Sequence, residues 1–194
     1  MSKSGCKNIT YAPESGSPAV LKRIKKKVDI GRMKESMRNA LKNGMVIKTN
    51  IIMGFPDETH FEIWQTLKFM ADLAIMGVED AVPANFSPYP GSELFEQLIK
   101  DGKISKLDDD YFWNLSVQTS FFRAVSVSKY VSSRALSFYL VFGLVLFYSL
   151  SLLFHPYRFF KMFFINPFRN IQESRFEKGY QGVFHRFFPK KTAV

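Results

Sequence analysis

Apolar and polar positions over the first 115 residues follow two alternating patterns, one typical of short strands and one of amphipathic helices. Three strands are predicted, at residues 8–12, 46–53 and 79–86. The helices that separate and follow them begin near Pro18, Asp29, Thr59 and Ser92. Because strands and helices alternate along the chain, we expect parallel strands joined by right-handed crossovers.

Local signals mark the ends of these helices. Ser17 is a favoured N-cap residue, and it precedes Pro18, which suits the first helical position. Thr59 and Glu62 have the spacing of a capping box. Gly77 follows the last apolar position of the same helix, where a left-handed residue commonly ends a helix. The sequence therefore predicts where the loops lie as well as the helices.

The loops after the three strands are residues 13–17, 54–58 and 87–91, and they are rich in Gly, Pro and polar residues. In a parallel α/β arrangement such loops emerge on one face, where barrel enzymes place their chemistry. The same composition also marks ordinary strand-to-helix turns. Composition alone therefore leaves a binding site and plain turns as alternatives.

Residues 135–154 form an apolar run without a charged residue. A helix of this length can cross a hydrocarbon core about 30 Å thick, and it satisfies its own backbone hydrogen bonds there. The run divides the chain into a head at 1–115, a connector at 116–134, a membrane helix at 135–154 and a basic aromatic tail at 155–194.

The net charge of +10 belongs almost entirely to the later part of the chain. Up to Gln118 there are 16 Lys and Arg against 15 Asp and Glu, whereas from Thr119 onward there are 11 against 2. Fifteen of the 21 Phe residues also follow Gln118. Basic residues mixed with aromatic ones favour an anionic membrane surface as the partner. We expect no nucleic acid partner, because no groove or stacking motif accompanies the charge.

The placement of the apolar run in a membrane has two solutions. The N-terminus lacks the apolar core of a signal peptide, so the head is expected to face the cytoplasm. A single span would then export the eight Lys and Arg that follow Phe154, against the preference of basic flanks for the cytoplasm. An in-plane helical hairpin, broken near Gly143 or Pro156, avoids this export. A helix buried in a larger complex is the third alternative.

Several kinds of site have no counterpart in the sequence. Cys6 is the single cysteine, which excludes an internal disulfide and a metal cluster held by cysteines of this chain alone. Ser-His-Asp sets, zinc-ligand spacings and phosphate-binding loops do not occur. The three histidines, at 60, 155 and 185, lie in different segments, and surface or interfacial positions are expected for them.

Four segments together carry a resemblance to a known family. They are GCKNITYAPESGS at 5–17, LKRIKK at 21–26, NIIMGFPDET at 50–59 and SPYPGSEL at 87–94. In this order and spacing the chain resembles radical S-adenosylmethionine enzymes, in particular the group that often carries a cobalamin-binding domain upstream. The resemblance covers residues 5–115. It implies an α/β fold that is the C-terminal half of a partial (β/α)6 barrel.

The resemblance assigns polar contacts to the first loop. It implies that Glu14 contacts the ribose or amino group of S-adenosylmethionine, with Ser15 beside it, and a carboxylate suits that role. Lys26 matches a basic position that related enzymes use for a substrate carboxylate. Two simpler interpretations remain: Glu14 favours the N-terminus of the next helix through the helix dipole, and Lys26 is a solvated lysine.

The resemblance also places the adenosine beside the second strand. Asn50 and Ile52 share one side of that strand, because side chains alternate. Gly54 would let the backbone approach the ligand closely, and Phe86 with the turn at 89–91 would close the adenine side. Core packing is the alternative for Ile52 and Phe86.

The family's cluster-binding loop, CxxxCxxC, has no counterpart in this sequence. Cys6 precedes a strand and is expected to be a small buried residue. The resemblance implies S-adenosylmethionine as cofactor, a four-iron four-sulfur cluster only if a separate partner chain supplies the cysteines, and cobalamin as a further candidate. The expected function is a fragment of a membrane-associated radical enzyme that activates C–H bonds, inactive alone, with methyl transfer to a lipid or isoprenoid as one outcome. The alternative is a non-catalytic subunit that binds S-adenosylmethionine or docks a partner at the membrane.

Overall fold

A computed structural model of the chain describes residues 1–104, 107–116 and 124–166, together with positions 174 and 178. The strands are β1 (Asn8–Glu14), β2 (Val46–Met53) and β3 (Asp80–Asn85). The helices are α1 (Pro18–Arg23), α2 (Ile30–Lys42), α3 (His60–Met76), α4 (Glu93–Lys100), α5 (Asp109–Ser116), α6 (Ser133–Phe154) and α7 (Tyr157–Phe160). A 3-10 turn, Ser2–Ser4, precedes β1, and a π-helical turn, Lys161–Ile165, follows α7. Much of the predicted connector and tail lies outside the described residues.

The three strands form one sheet in the order β1-β2-β3, and both pairs are parallel, as predicted. Burial along β2 alternates, so that residues 47, 49, 51 and 53 are buried beneath helices while 46, 48, 50 and 52 are half-buried on the opposite face. This alternation confirms that Asn50 and Ile52 share one side of the strand. The described strands form an open sheet, and the partial barrel stays a prediction.

The predicted helix ends are present with one difference. The Thr59–Glu62 capping box forms in both directions, and Gly77 ends α3 with a φ of 103°. Pro18 is at the first turn of α1, but Ser17 does not cap this helix through its side chain. Its amide instead donates to Ser15 Oγ at 3.1 Å, and its buried hydroxyl has no partner among the described residues.

Helix α6 runs without interruption through Gly143, so a break at this glycine is wrong. A Cβ at Gly143 would lie 2.9 Å from Leu67 Cδ2, which shows that the glycine lets α6 approach α3 closely. The helix ends just before Pro156 instead. Since Pro156 has no amide hydrogen to continue the helical bonding, this position is the natural stop.

Helix α6 shares one hydrophobic core with the sheet and with α3. Its Leu136, Leu140 and Phe147 are fully buried, and so are residues 63, 67 and 70 of α3 and 47 and 53 of β2. By length and mean hydropathy, 2.1 over its most apolar window, α6 could cross a membrane. A third of that window is nevertheless buried against the rest of the chain.

Candidate functional site

A cavity of about 500 Å³ opens at the carboxyl edge of the sheet, within the size range of small-molecule sites. It brings together four of the residues predicted to bind a cofactor: Glu14, Asn50, Ile52 and Phe86. Phe55, Val82, Asn85 and Tyr89 also line it. The ends of three parallel strands therefore converge on one cavity that has polar and apolar walls.

Glu14 reaches this cavity through an irregularity at the end of β1. The register slips between Tyr11 and Glu14, because Tyr11 pairs with Thr49 and Glu14 with Ile51. Pro13 has no amide hydrogen for the ladder, which makes a bulge at this point favourable. Glu14 then has a left-handed φ of 65°, and the amide of Ser15 donates across it to Pro13 O at 2.9 Å in a γ-turn.

A left-handed conformation at a glutamate costs about 1–3 kcal/mol and persists where surrounding contacts fix it. Two such contacts are present. Lys26 Nζ lies 3.0 Å from Glu14 Oε1, and the Ser15 hydroxyl is held on the other side of the turn by Thr66 Oγ1 at 3.0 Å. The predicted residues Glu14 and Lys26 thus form a partly exposed ion pair, in which Glu14 lines the cavity and Lys26 contacts it from outside the cavity lining.

Ser15 has a different position from the one that the resemblance implies. It is fully buried, and its hydroxyl contacts Thr66 of α3 and accepts from the amide of Ser17 at 3.1 Å. Thr66 Oγ1 also accepts from the amide of Gly16 at 3.1 Å. Ser15 therefore fixes the loop after β1 to α3, and Glu14 alone of the two faces the cavity.

Gly54 begins the loop after β2 with a φ of 90°, a conformation that favours glycine. A Cβ at this position would lie 2.6 Å from Leu136 Cδ2 and 3.2 Å from Asn85 Oδ1. The close approach that Gly54 permits is therefore an approach of α6 and β3. Its role toward a ligand stays a prediction.

The buried side chain of Glu58 holds the same loop in place through hydrogen bonds to its backbone amides. Its carboxylate accepts hydrogen bonds from the amides of Gly54 at 2.6 Å and Phe55 at 3.2 Å, and the residue is fully buried. Burial raises the pKa of this carboxyl to about 7, and the two amide bonds offset only part of the rise. Neighbouring Glu62 has the opposite shift, because two hydrogen bonds from Arg23 lower its pKa to about 2.

The apolar wall of the cavity is aromatic. Phe55 and Phe86 contact each other with ring centroids 5.0 Å apart and planes tilted by 40°. Ile52 packs against the small cluster that contains both rings. A flat, apolar heterocycle would find suitable contact surface here.

Asn85 is a functional candidate that the sequence interpretation missed. It ends β3 at the cavity, and its Nδ2 donates to Val125 O at 3.0 Å. Its Oδ1 is buried without a partner among the described residues. Because this oxygen has no exposed surface and lies beside Gly54, it does not face the open volume of the cavity, which Asn85 lines with its other atoms. The available signal was the same as for Glu14, namely a polar residue at the end of an otherwise apolar strand.

The segment before α6 crosses the loops at this edge. Ser128 Oγ donates to Glu58 O at 3.0 Å, and the amide of Lys129 donates to Pro56 O at 2.8 Å. Together with the Asn85–Val125 bond, these contacts attach residues 124–132 to the loop after β2 and to the end of β3. They extend the site beyond the head that the sequence pattern delimits.

A metal cluster does not fit the residues that the structure describes. Among them no group of three or more His, Cys, Asp or Glu side chains is placed to hold a metal. The thiol of Cys6 lies before β1 and contacts Asn8 O at 3.5 Å. The acceptors and aromatic rings of the cavity fit a nucleoside-like cofactor, whereas cluster ligands would have to come from elsewhere.

Comparison with known proteins gives these features a family context. Residues 1–70 match the Radical SAM superfamily. The chain is 28% identical over 142 residues to an uncharacterized methyltransferase of Pyrococcus horikoshii, covering 72% of this chain and 30% of that protein. It is 31% identical over 108 residues to tRNA-2-methylthio-N(6)-dimethylallyladenosine synthase of Thermus thermophilus, covering 53% of this chain and 22% of that protein. The chain thus spans less than a third of the length of these relatives, and it carries a Radical SAM superfamily domain at residues 1–70.

Proposed function

We propose that this chain supplies the S-adenosylmethionine-binding part of a radical S-adenosylmethionine enzyme that acts at a membrane. The match of residues 1–70 to the Radical SAM superfamily implies S-adenosylmethionine and, usually, an iron-sulfur cluster. The observation that carries the proposal is the cavity at the carboxyl edge of the sheet, where Glu14, Asn50 and Asn85 meet an aromatic wall. Parallel α/β sheets bind ligands at this edge.

The polar side of the cavity suits the charged part of the cofactor. The Glu14 carboxylate can accept hydrogen bonds from a ribose hydroxyl or from an ammonium group, and charge strengthens such bonds. Lys26, at 3.0 Å from Glu14, places a positive charge beside it for a carboxylate. Each end of a zwitterion would therefore meet its opposite charge.

The apolar side suits the base. Phe86 and Phe55 offer ring faces, and Ile52 lies beside them on the sheet. Asn50 is two residues before Ile52 and lines the same cavity, so an amide stands next to the apolar wall. An adenine ring placed there would combine stacking with hydrogen bonding.

The electron that starts radical chemistry must come from a cluster held outside the described residues. When both groups are bound, S-adenosylmethionine supplies the radical that removes hydrogen from an unreactive carbon. We propose that a separate chain, or a further part of the same protein, provides the cysteine ligands. If none does, the chain is a non-catalytic subunit that binds S-adenosylmethionine or docks a partner. The shortage of thiols in the sequence favours one of these two arrangements.

The relatives suggest a reaction class. One is named as a methyltransferase, and the other as a synthase of a methylthio-modified nucleoside. We propose methyl transfer as the outcome here, with cobalamin as a candidate carrier of the methyl group. We favour a lipid or isoprenoid acceptor over a nucleic acid, because α6 is apolar and the basic residues are interspersed with aromatic ones.

The test is a direct measurement of S-adenosylmethionine affinity by equilibrium dialysis, using the full chain in mild detergent. We expect Glu14→Gln to weaken binding by about tenfold or more, since it removes a charge-assisted hydrogen bond. Asn50→Ala should also weaken it. The matched controls are Glu96→Gln and Asn39→Ala, which change the same residue types at exposed positions on α4 and α2.

Saturable binding that weakens in both cavity variants and in neither control would support the proposal. Absence of saturable binding by the wild-type chain would refute it, as would equal affinities in all five proteins. S-adenosylhomocysteine serves as a competitor, because it keeps the adenosine and amino acid parts and lacks the sulfonium methyl group.

A further inference from the structure

One side of α6 carries large apolar residues that nothing in the described chain covers. Phe138, Val145 and Leu153 are 58%, 57% and 71% exposed, and with Ser149 they recur at the spacing of a single helix face. We call this surface the outer face of α6. The opposite side of the helix is the one buried in the core, so α6 has two apolar sides with different surroundings.

Exposed aromatic residues extend the outer face in two directions. On α3, Phe61 and Trp64 are exposed, and Trp64 contacts Phe142 of α6 edge to face at 5.7 Å. After the end of α6, Tyr157 and Phe160 are exposed as well. Contiguous apolar surface of this kind marks an interaction site in a folded protein.

Polar contacts fix α6 against the head along its whole length. Near its start, Tyr139 OH lies 2.9 Å from His60 Nδ1 at the beginning of α3. Near its middle, Tyr148 OH donates to Asp80 Oδ1 at 2.9 Å. Just beyond its end, His155 Nε2 lies 3.1 Å from Ile75 O. The two helices therefore run parallel, and α6 follows α3 from one end to the other.

Arg158 provides the strongest of these attachments. Its guanidinium donates to Gly77 O at 2.6 Å and Val78 O at 2.9 Å, immediately after α3, and to Ser151 Oγ at 2.6 Å. Its Nη2 lies 3.0 Å from Glu79 Oε2, and the Arg158 side chain is only 6% exposed. A cation at the C-terminal end of α3 also favours the helix dipole. This arginine is a buried anchor and does not belong to the solvated basic tail.

These attachments decide between the two placements of α6 in a membrane. A helix of 22 residues is about 33 Å long and would need the full hydrocarbon thickness to span it. Because α3 lies alongside, it would have to enter with α6, together with exposed Lys68 and the Lys34–Asp72 ion pair. Charged groups are strongly disfavoured there. A helix lying in the plane of the interface avoids this cost, since only its outer face meets lipid.

We infer that the outer face of α6 binds flat on a bilayer that contains anionic lipids, with both ends of the helix on the same side. This inference rests on the membrane association in the proposed function and specifies its geometry. Charge selects a lipid surface over an apolar protein partner. Eight Lys and Arg follow Phe154, and seven of them other than the buried Arg158 are candidates for contact with lipid head groups. Exposed Arg134 lies at the other end of the helix. The sequence therefore has basic residues before and after the apolar helix, and such flanking charges match anionic head groups.

The first test is flotation of the full chain with vesicles made of equal parts phosphatidylcholine and phosphatidylglycerol. Leu153→Glu should lower the partition coefficient by about tenfold or more, because it puts a negative charge into the lipid-facing surface. The matched control is Ile99→Glu on α4, at an aliphatic residue 41% exposed and outside the outer face. Unchanged thermal unfolding in detergent would show that both variants fold. Equal flotation of Leu153→Glu and wild type would refute the inference.

The second test separates the geometry from membrane association itself. In cells carrying Cys6→Ala, single cysteines at Tyr130 and Lys178, two exposed positions on either side of α6, are probed with an impermeant thiol reagent. The in-plane arrangement predicts the same accessibility for both. Labelling of only one would show that α6 spans, which overturns this inference and leaves cofactor binding untouched. Self-association lost in Leu153→Glu, without vesicle binding by the wild type, would identify a second copy as the occupant and also overturn it.

Discussion

The buried carboxyl of Glu58 makes the stability of this chain depend on pH in a defined direction. Its pKa is about 7 in the folded chain and 4.5 when unperturbed. The folded state therefore holds a proton that the unfolded state releases between these values. The stability contributed by the protonated form is complete below pH 4.5 and is lost as the pH rises toward 7. The pKa difference of about 2.5 corresponds to roughly 3 kcal/mol.

Glu58→Gln removes this titration and keeps an oxygen that can accept from the amides of Gly54 and Phe55. We expect the wild-type free energy of unfolding to fall by about 2–3 kcal/mol between pH 5 and pH 8, and the variant to fall by less than about 1 kcal/mol. Urea unfolding of the full chain in a non-ionic detergent at several pH values measures both. Glu62 does not interfere, because its pKa of about 2 puts its own effect between pH 2 and 4.5. Parallel pH profiles for the two proteins would refute the reasoning.

Three further predictions follow from the packing and the thiol content. Arg158→Met should lower the free energy of unfolding by about 3–5 kcal/mol, since it removes a buried guanidinium that pairs with Glu79 and donates to the carbonyls of Gly77 and Val78; urea unfolding measures this. Gly16→Ala should cost about 3 kcal/mol in the same assay, because a Cβ would lie 2.9 Å from Gln65 O and overlap Phe69. The chain alone should bind no four-iron cluster after anaerobic reconstitution, as judged by its absorbance spectrum.

Each of these predictions has a matched comparison. Lys25→Met removes an exposed cation from its ion pair with Glu93 and should cost less than about 1 kcal/mol. Gly31→Ala places a methyl group 3.1 Å from Asp29 Oδ1, the N-cap oxygen of α2, and should cost less than Gly16→Ala because this exposed side chain can shift whereas the backbone beside Gly16 cannot. Cluster absorbance that disappears in Cys6→Ala would contradict the third prediction. Equal losses in Arg158→Met and Lys25→Met would contradict the first.

Elements whose signals are local could be predicted from the sequence. The Thr59–Glu62 capping box depends on residues three positions apart, and Gly77 depends on its own backbone conformation. The parallel order of the strands follows from their alternation with helices. The absence of a side-chain cap from Ser17 could not be predicted, because the conformation of this loop depends on Ser15, whose hydroxyl contacts Thr66 fifty-one positions away and accepts from the Ser17 amide.

For the apolar run at 135–154, the sequence pattern predicts the secondary structure but not the surroundings of the helix. Its helical state could be read from the residues, but its burial could not, because leucines facing a core and leucines facing lipid look alike in sequence. The distinguishing signals are polar and lie around the run. The side chains of Tyr139, Tyr148 and Arg158 contact residues that lie 68 to 80 positions earlier in the chain. Such pairings are properties of the packed molecule.

For the candidate site, the sequence indicated which loops come together, and it identified some of the residues that line the cavity. Glu14, Asn50, Ile52 and Phe86 do line it. Alternation along a strand explains the success at Asn50 and Ile52. The ion pair between Glu14 and Lys26 was not predicted, because it depends on the bulge and γ-turn that redirect Glu14.

The attachment of Arg158 also orders events during synthesis. The carbonyls of Gly77 and Val78 are synthesised about eighty residues before Arg158, whose guanidinium is their hydrogen-bond donor in the folded chain. At roughly 5–20 residues per second, that interval lasts on the order of 5–15 s. Throughout it, Leu67 and Met70 of α3 lack the helix that later covers them. Until α6 has been synthesised, the nascent chain therefore carries an exposed apolar surface on α3, which is a site for unwanted contacts with other apolar surfaces.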